Sequence, residues 1–187
     1  MAARERLTGM MFRERVLGKR LRELVGYDVM ILDSAPGVDL LQVSGMVACT
    51  DLLVPLELSS LAIGGAGDLV GSVQSLRELG GFSGRLLGFL PTKWDQATSE
   101  SVGLLAGLRK RYGRLVWPPI PVDTRVRAAA RLGRTLWEHD PKCRALRGAV
   151  VRNGDEADTV RLAGGYVAVL KRLLRTWQAE ERDGKAD

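Results

Sequence analysis

A single histidine, His139, and two cysteines, Cys49 and Cys143, are all that 187 residues offer of those types. A Ser-His-Asp triad or a histidine-rich metal site would rest on that one turn-like histidine, so neither chemistry is expected. The cysteines sit at no metal-binding spacing and lack an evident partner, and each is expected to be an ordinary buried or half-buried thiol. No apolar run approaches the roughly 18 residues of a membrane span. The opening "MAARERLTGMMFRERV" carries charges where a signal peptide has its apolar core. A cytoplasmic protein is the expectation. Linkers, repeats and low-complexity tracts are also missing, and 187 residues with 45% hydrophobic content support one domain with a substantial core. Only the polar end, residues 183–187, is expected to fray.

The charge is lopsided. Lys and Arg number 28 against 22 Asp and Glu, for a net charge of +6 and a pI near 9.7, which favours a polyanion among the partners. Between Arg109 and Arg147 the imbalance sharpens to 11 basic residues against three acids, Asp123, Glu138 and Asp140. A solvated arginine face is the alternative to a contact surface.

The apolar pattern alternates between helical and strand-like segments. Val16, Leu17, Leu21, Leu24 and Val25 recur at helical spacing within residues 12–26, which end at Gly26. A strand follows at Val29–Leu32, a helix over 39–51, a strand at Leu52–Glu57, and a helix closed by Gly80 and Gly81. Arg85–Thr92 reads as a third strand, Ser99 as the cap of the next helix, and residues 114–122 as a short fourth strand. The last helix is expected over residues 158–181. Continuous rather than alternating apolar strands, separated by helices, predict an α/β fold with a parallel sheet covered by helices on both faces.

Within that pattern "VMILD" poses a question, because a core strand should not end on a carboxylate without reason. The carboxyl ends of parallel strands form the ligand crevice, so Asp33 would point into it. There it could hold the magnesium of a nucleotide through water, or simply cap the next turn.

The neighbouring residues shift the balance between these readings. "YDVMILDSAPG" resembles the motif of the ParA and MinD family of deviant P-loop ATPases, in which a strand preceded by Tyr-Asp ends in Asp-Ser/Thr and a proline-containing turn. "ACTDLLVPLELSSLAIGGAGDLV", "LLGFLPTKWD" and "WPPIPVDTRVRAAARLGRTLWEHDPKCRA" continue the resemblance in order, over roughly residues 12–145. It is closer to ParA than to MinD.

The resemblance implies a P-loop NTPase-like sheet that uses ATP with Mg2+, dimerises with nucleotide and binds DNA nonspecifically. It also implies release of DNA when a ParB-type partner stimulates hydrolysis. Asp33 would serve magnesium through water and assist water positioning, with Ser34, Ala35, Pro36 and Gly37 as the switch turn. Thr92, Lys93, Pro121 and Asp123 would lie near the base. Arg125, Arg127, Arg131 and Arg134 would face nucleoid DNA, where nonspecific phosphate contact needs charge and little geometry.

One part of that pattern is missing from the 187 residues. No G-x-x-x-x-G-K-[ST] loop is present, nor the family's variant with a second lysine early in the loop. "LAIGGAG" and "AGGYVAVLKR" contain glycines but are expected to serve helix packing or helix starts. The chain therefore reads as the C-terminal portion of a ParA-like ATPase, with a sheet lacking the strand and loop that cradle phosphate. Exposed strand edges and apolar surface should follow, with poor ATP binding by this portion alone.

Two other readings stand beside the partitioning ATPase. One is a noncatalytic DNA-binding module, or one that pairs with a full-length ParA. The other is a MinD-like ATPase whose basic C-terminal helix, "GYVAVLKRLLRTW", lies on an acidic membrane. Packing of that helix on the sheet is the expectation, so a membrane partner is not.

Overall fold

Arg85–Thr92 is a deeply buried strand, and the reason is in its composition. Every residue from Leu87 to Pro91 is buried, as expected of an apolar run covered on both sides. The computed structural model describes residues 12–34, 40–152 and 160–183. The run is β2; beside it lies β1, Asp51–Glu57. The Arg85 N–H donates to the Thr50 carbonyl at 2.8 Å and the Leu58 N–H to the Thr92 carbonyl at 3.3 Å. Both pairings advance in the same chain direction, so the strands are parallel, and the helix between them makes the crossover that parallel pairing requires. The fold is α/β.

The expected fourth strand, residues 114–122, is reduced to two parallel bridges, Phe89 with Val116 and Trp94 with Pro121. Pro118, Pro119 and Pro121 have no N–H to give, so a continuous ladder cannot form there.

The chain divides into two compact units, residues 1–53 with 67–87 and residues 54–66 with 88–187. In the first, a 3-10 turn at Arg13–Arg15 leads into α1, Val16–Leu21, which packs on α2, Leu40–Ala48. Gly18 makes that approach possible, since a Cβ there would already lie 3.5 Å from Ala48. The helix expected over residues 12–26 is therefore shorter than its apolar spacing suggests. The rest of this unit includes most of α3, Ser60–Glu78, and the start of β2, where Arg85 grips Asp51 through Nε at 2.9 Å and Nη2 at 2.6 Å.

The strand expected at Val29–Leu32 is not formed. Val29, Met30 and Ile31 are 49%, 45% and 88% exposed along an irregular chain. A strand needs a neighbour for its N–H and C=O groups, and none of the described residues pairs with this run.

In the second unit the core gathers around Phe89, Leu108 and Trp117, all essentially sealed from solvent. The Phe89 and Tyr112 rings stand 4.8 Å apart. Helix α4, Ser99–Tyr112, supplies Leu105 and Leu108. Thr98, not Ser99, occupies its N-cap position, and without a side-chain cap bond. Three short helices follow: α5, Thr124–Arg131, α6, Leu136–His139, and α7, Arg144–Arg147.

The expected last helix begins eight residues late, because part of its apolar pattern belongs to a hairpin. Strand β3, Ala149–Arg152, pairs antiparallel with β4, Val160–Ala163, in the register Ala149 to Ala163. Gly164 and Gly165, at φ +79° and +83°, then turn the chain into α8, Tyr166–Asp183. Residues 184–187 of the expected tail lie outside the described residues. Among the described residues, no helix is long and apolar enough to cross a membrane.

Candidate functional site

Three groups of residues carry the chemistry expected from the sequence. The first is the turn after Leu32. Asp33 and Ser34 are exposed, and the Asp33 carboxylate makes no hydrogen bond or ion pair with the described residues. Ala35, Pro36 and Gly37 lie outside the described residues. Ser34 is near α2, its Oγ 3.4 Å from where a Cβ on Gly45 would stand.

The second group follows the carboxyl end of β2. The Thr92 side chain is half-buried and its carbonyl is engaged by Leu58. Lys93 takes a left-handed conformation at φ +53°, uncommon outside glycine, and its Nζ lies 2.6 Å from Glu57 Oε2. Both side chains are more than half exposed, so this pair adds at most about 1 kcal/mol. Trp94 then bonds both ways with the next segment: its N–H donates to Ile120 and its carbonyl accepts from Val122, each at 2.9 Å. Thr92, Lys93 and Pro121 are thereby brought to one end of the sheet.

Asp123, two residues beyond Pro121, is engaged by hydrogen bonds within the chain. It is the N-cap of α5, its carboxylate accepting from the Arg125 N–H at 3.0 Å and the Ala145 N–H at 3.2 Å. Burial acts to raise its pKa. The backbone N–H groups of Arg125, Ala145 and Arg144 and the Arg125 guanidinium outweigh it and hold the carboxyl below the ordinary aspartate value. This side chain is committed to joining α5 with α7.

The third group is α5 itself. Ala129 is buried on its inner side. Thr124, Arg127, Ala128 and Arg131, spaced as one helical face, line an open recess of about 250 Å3. Arg125 is drawn aside, with Nε 2.6 Å from Asp140 and Nη1 3.5 Å from Asp123. Arg127, Arg131 and Arg134 are exposed and make no side-chain hydrogen bond or ion pair with the described residues. Gly133, at φ +62°, ends the helix and redirects the chain to Arg134. Of the four arginines singled out by sequence, three present free guanidinium groups and one is held by carboxylates.

Sequence reading missed Trp137. The residue is 52% exposed, and its ring lies under the Arg147 guanidinium at 4.6 Å. Its position beside the basic run was the available signal.

The glycine segments hold no phosphate cradle. Gly164 and Gly165 are pressed against backbone, where a Cβ would meet the Pro119 carbonyl and the Gly148 nitrogen respectively. Gly64 and Gly65 lie within α3. Among the described residues no three His, Cys, Asp or Glu side chains gather as metal ligands. Cys143 is buried and Cys49 half-buried, and burial raises both thiols. ATP with Mg2+ needs several convergent donors, and among the described residues none of that kind gathers around Asp33.

Comparison with known proteins places this arrangement in context. The sequence profile of an AAA domain matches residues 1–81. The chromosome-partitioning ATPase Soj of Thermus thermophilus is 31% identical over 117 residues, 62% of this chain and 47% of Soj. The ATP complex of a single-residue variant of Cyanothece McdA superposes at a TM-score of 0.66 and 30% identity, over 73% of this chain and 55% of McdA. The chain is similar to the ParA-like family of P-loop ATPases. A structure of cobyrinic acid a,c-diamide synthase from Mycobacterium smegmatis with an ATP analogue and magnesium matches at a TM-score of 0.58 and 34% identity. That match covers 64% of this ParA-like chain and 48% of the synthase. The chain spans about half the length of the curated relatives it matches.

Proposed function

We propose that this ParA-like chain serves a partitioning system by holding DNA nonspecifically through the outer face of α5. The observation that carries the reading is the division of labour among its arginines: Arg125 is neutralised by Asp123 and Asp140, while Arg127, Arg131 and Arg134 are left unpaired among the described residues. Phosphate contact requires that combination of charge and access, and no base-reading geometry. Arg127 and Arg131 both line the open recess on that face.

Nucleotide chemistry enters this reading through pairing. ATP and Mg2+ would be held once a glycine-rich phosphate loop is joined to these residues, in the same polypeptide or from a full-length ParA relative. Asp33 would then act on the metal side through water, and Thr92, Lys93 and Pro121 would border the base. A homodimer or such a mixed pair, a ParB-type partner and a nucleoid-associated, cytoplasmic location belong to the same proposal.

The test is duplex DNA binding across a salt series. The double variant Arg127→Glu, Arg131→Glu should lose at least about tenfold in affinity and flatten the slope of log affinity against log salt by about two. Unchanged binding by that variant would overturn the reading.

One observation favours the membrane alternative. Tyr166, Leu170 and Leu174 recur every four residues along α8 and are 41%, 51% and 45% exposed, beside the exposed Lys171 and Arg175. Cosedimentation with anionic vesicles, abolished by Leu170→Glu, would support it; no cosedimentation leaves DNA as the polyanion.

A further inference from the structure

We propose that Trp137 and Arg147 form a stacking element for unpaired DNA bases beside the arginine face of α5, giving the chain a preference for single-stranded over duplex DNA. The inference rests on the DNA-binding reading and adds the form of DNA preferred.

The element is built and held in place. A helix of four residues such as α6 has little stability of its own. Here it is fixed by a capping box: Thr135 Oγ1 accepts the Glu138 N–H at 3.3 Å, and Glu138 Oε2 accepts the Thr135 N–H at 2.8 Å. The Thr135 N–H and hydroxyl hold the Glu138 carboxyl below its ordinary pKa. Arg147 is fixed independently, its Nε donating to the Pro141 carbonyl at 2.8 Å. Its helix, α7, is anchored by buried Ala145 and Leu146 and by the Asp123 carboxylate. The guanidinium therefore lies over the indole from a different element than the one that carries the indole.

The result is a half-exposed tryptophan whose ring is backed by a cation. Helix α6, which carries Trp137, packs against α5, the helix that carries Arg127 and Arg131. Phosphate-binding arginines next to an open aromatic face are the two components of single-strand recognition, in which charge tracks the backbone and a ring stacks on a base. Duplex bases are already stacked and would have to be extruded at a cost of a few kcal/mol, so the ring contributes only where bases are unpaired.

The experiment compares oligo-dT with a duplex of mixed sequence by fluorescence anisotropy, using the full chain. Trp137→Ala should weaken oligo-dT binding about tenfold and leave duplex binding within about twofold. Trp137→Phe, which keeps a ring, should recover most of the loss. Arg127→Glu with Arg131→Glu should weaken both. A Trp137→Ala variant that is folded by circular dichroism and loses nothing on oligo-dT, or loses equally on both ligands, overturns the inference while the DNA reading stands. A wild-type chain that binds neither ligand overturns the DNA reading itself.

Discussion

The Arg172 guanidinium lies 4.4 Å from the centre of the Trp117 ring and donates to the Val116 and Arg114 carbonyls at 3.0 and 2.5 Å. One side chain from α8 thus closes over the most buried tryptophan of the second unit and satisfies two carbonyls of a proline-rich segment. Arg172→Ala should cost about 2–3 kcal/mol in urea unfolding, and Arg172→Lys should recover only part, because an ammonium cannot stack flat and reach both carbonyls. A loss below about 0.5 kcal/mol would show that the contact carries little of the stability.

Asp123 should give the chain a pH-dependent stability. Its folded pKa lies below the ordinary aspartate value of about 3.9. The contribution is therefore fully present above that value and is lost as pH falls through the folded pKa. Urea midpoints should fall on acidification below about pH 4, and Asp123→Asn should remove this carboxylate's share of the slope. At neutral pH, Asp123→Ala should cost about 2–3 kcal/mol, since it removes a cap and strands the buried Ala145 N–H. Parallel slopes for wild type and Asp123→Asn would contradict the assignment.

Asp33 should behave oppositely. Exposed and without a hydrogen-bonding partner among the described residues, it can be changed to alanine with a stability change within about 0.5 kcal/mol. Thermal denaturation of Asp33→Ala reports this directly. A drop above about 1 kcal/mol would mean that the carboxylate has a structural role, and any nucleotide defect of the variant would need reinterpretation.

Two glycines with similar backbones should respond differently to alanine. Gly133, at φ +62°, has open space where its Cβ would go, and Gly133→Ala should cost about 1 kcal/mol. Gly164, at φ +79°, is pressed on the Pro119 carbonyl, and Gly164→Ala should cost about 3 kcal/mol or more. Equal losses in chemical denaturation would show that backbone angle alone sets the penalty.

Much of this was legible in the sequence where the cause is local. The apolar run Arg85–Thr92 predicted its strand to the residue, because a continuous apolar stretch has few other uses. The fate of Val29–Leu32 was not legible, since a strand depends on its neighbour and none of the described residues supplies one. Hairpin β3–β4 was hidden because Val160 and Leu162 also fit a helical pattern, and only pairing with β3 decides against it. The arginines of α5 were visible as charge, but the capture of Arg125 by Asp140, fifteen positions on, required the fold. Trp137 and Arg147 are ten positions apart on two helices, and no spacing rule joins them.

Cβ atoms at Gly148, Gly164 and Gly165 would each run into another stretch of main chain: the Ala163 and Gly164 carbonyls, the Pro119 carbonyl and the Gly148 nitrogen. Main chain resting on main chain leaves no side chain that could rotate to accommodate a shift. The hairpin therefore cannot slip its register, and α8 departs from a fixed point at a fixed angle. For the gene, these three codons form one unit: a substitution at any of them is repaired only by rebuilding the backbone, never by a compensating change in a neighbouring side chain.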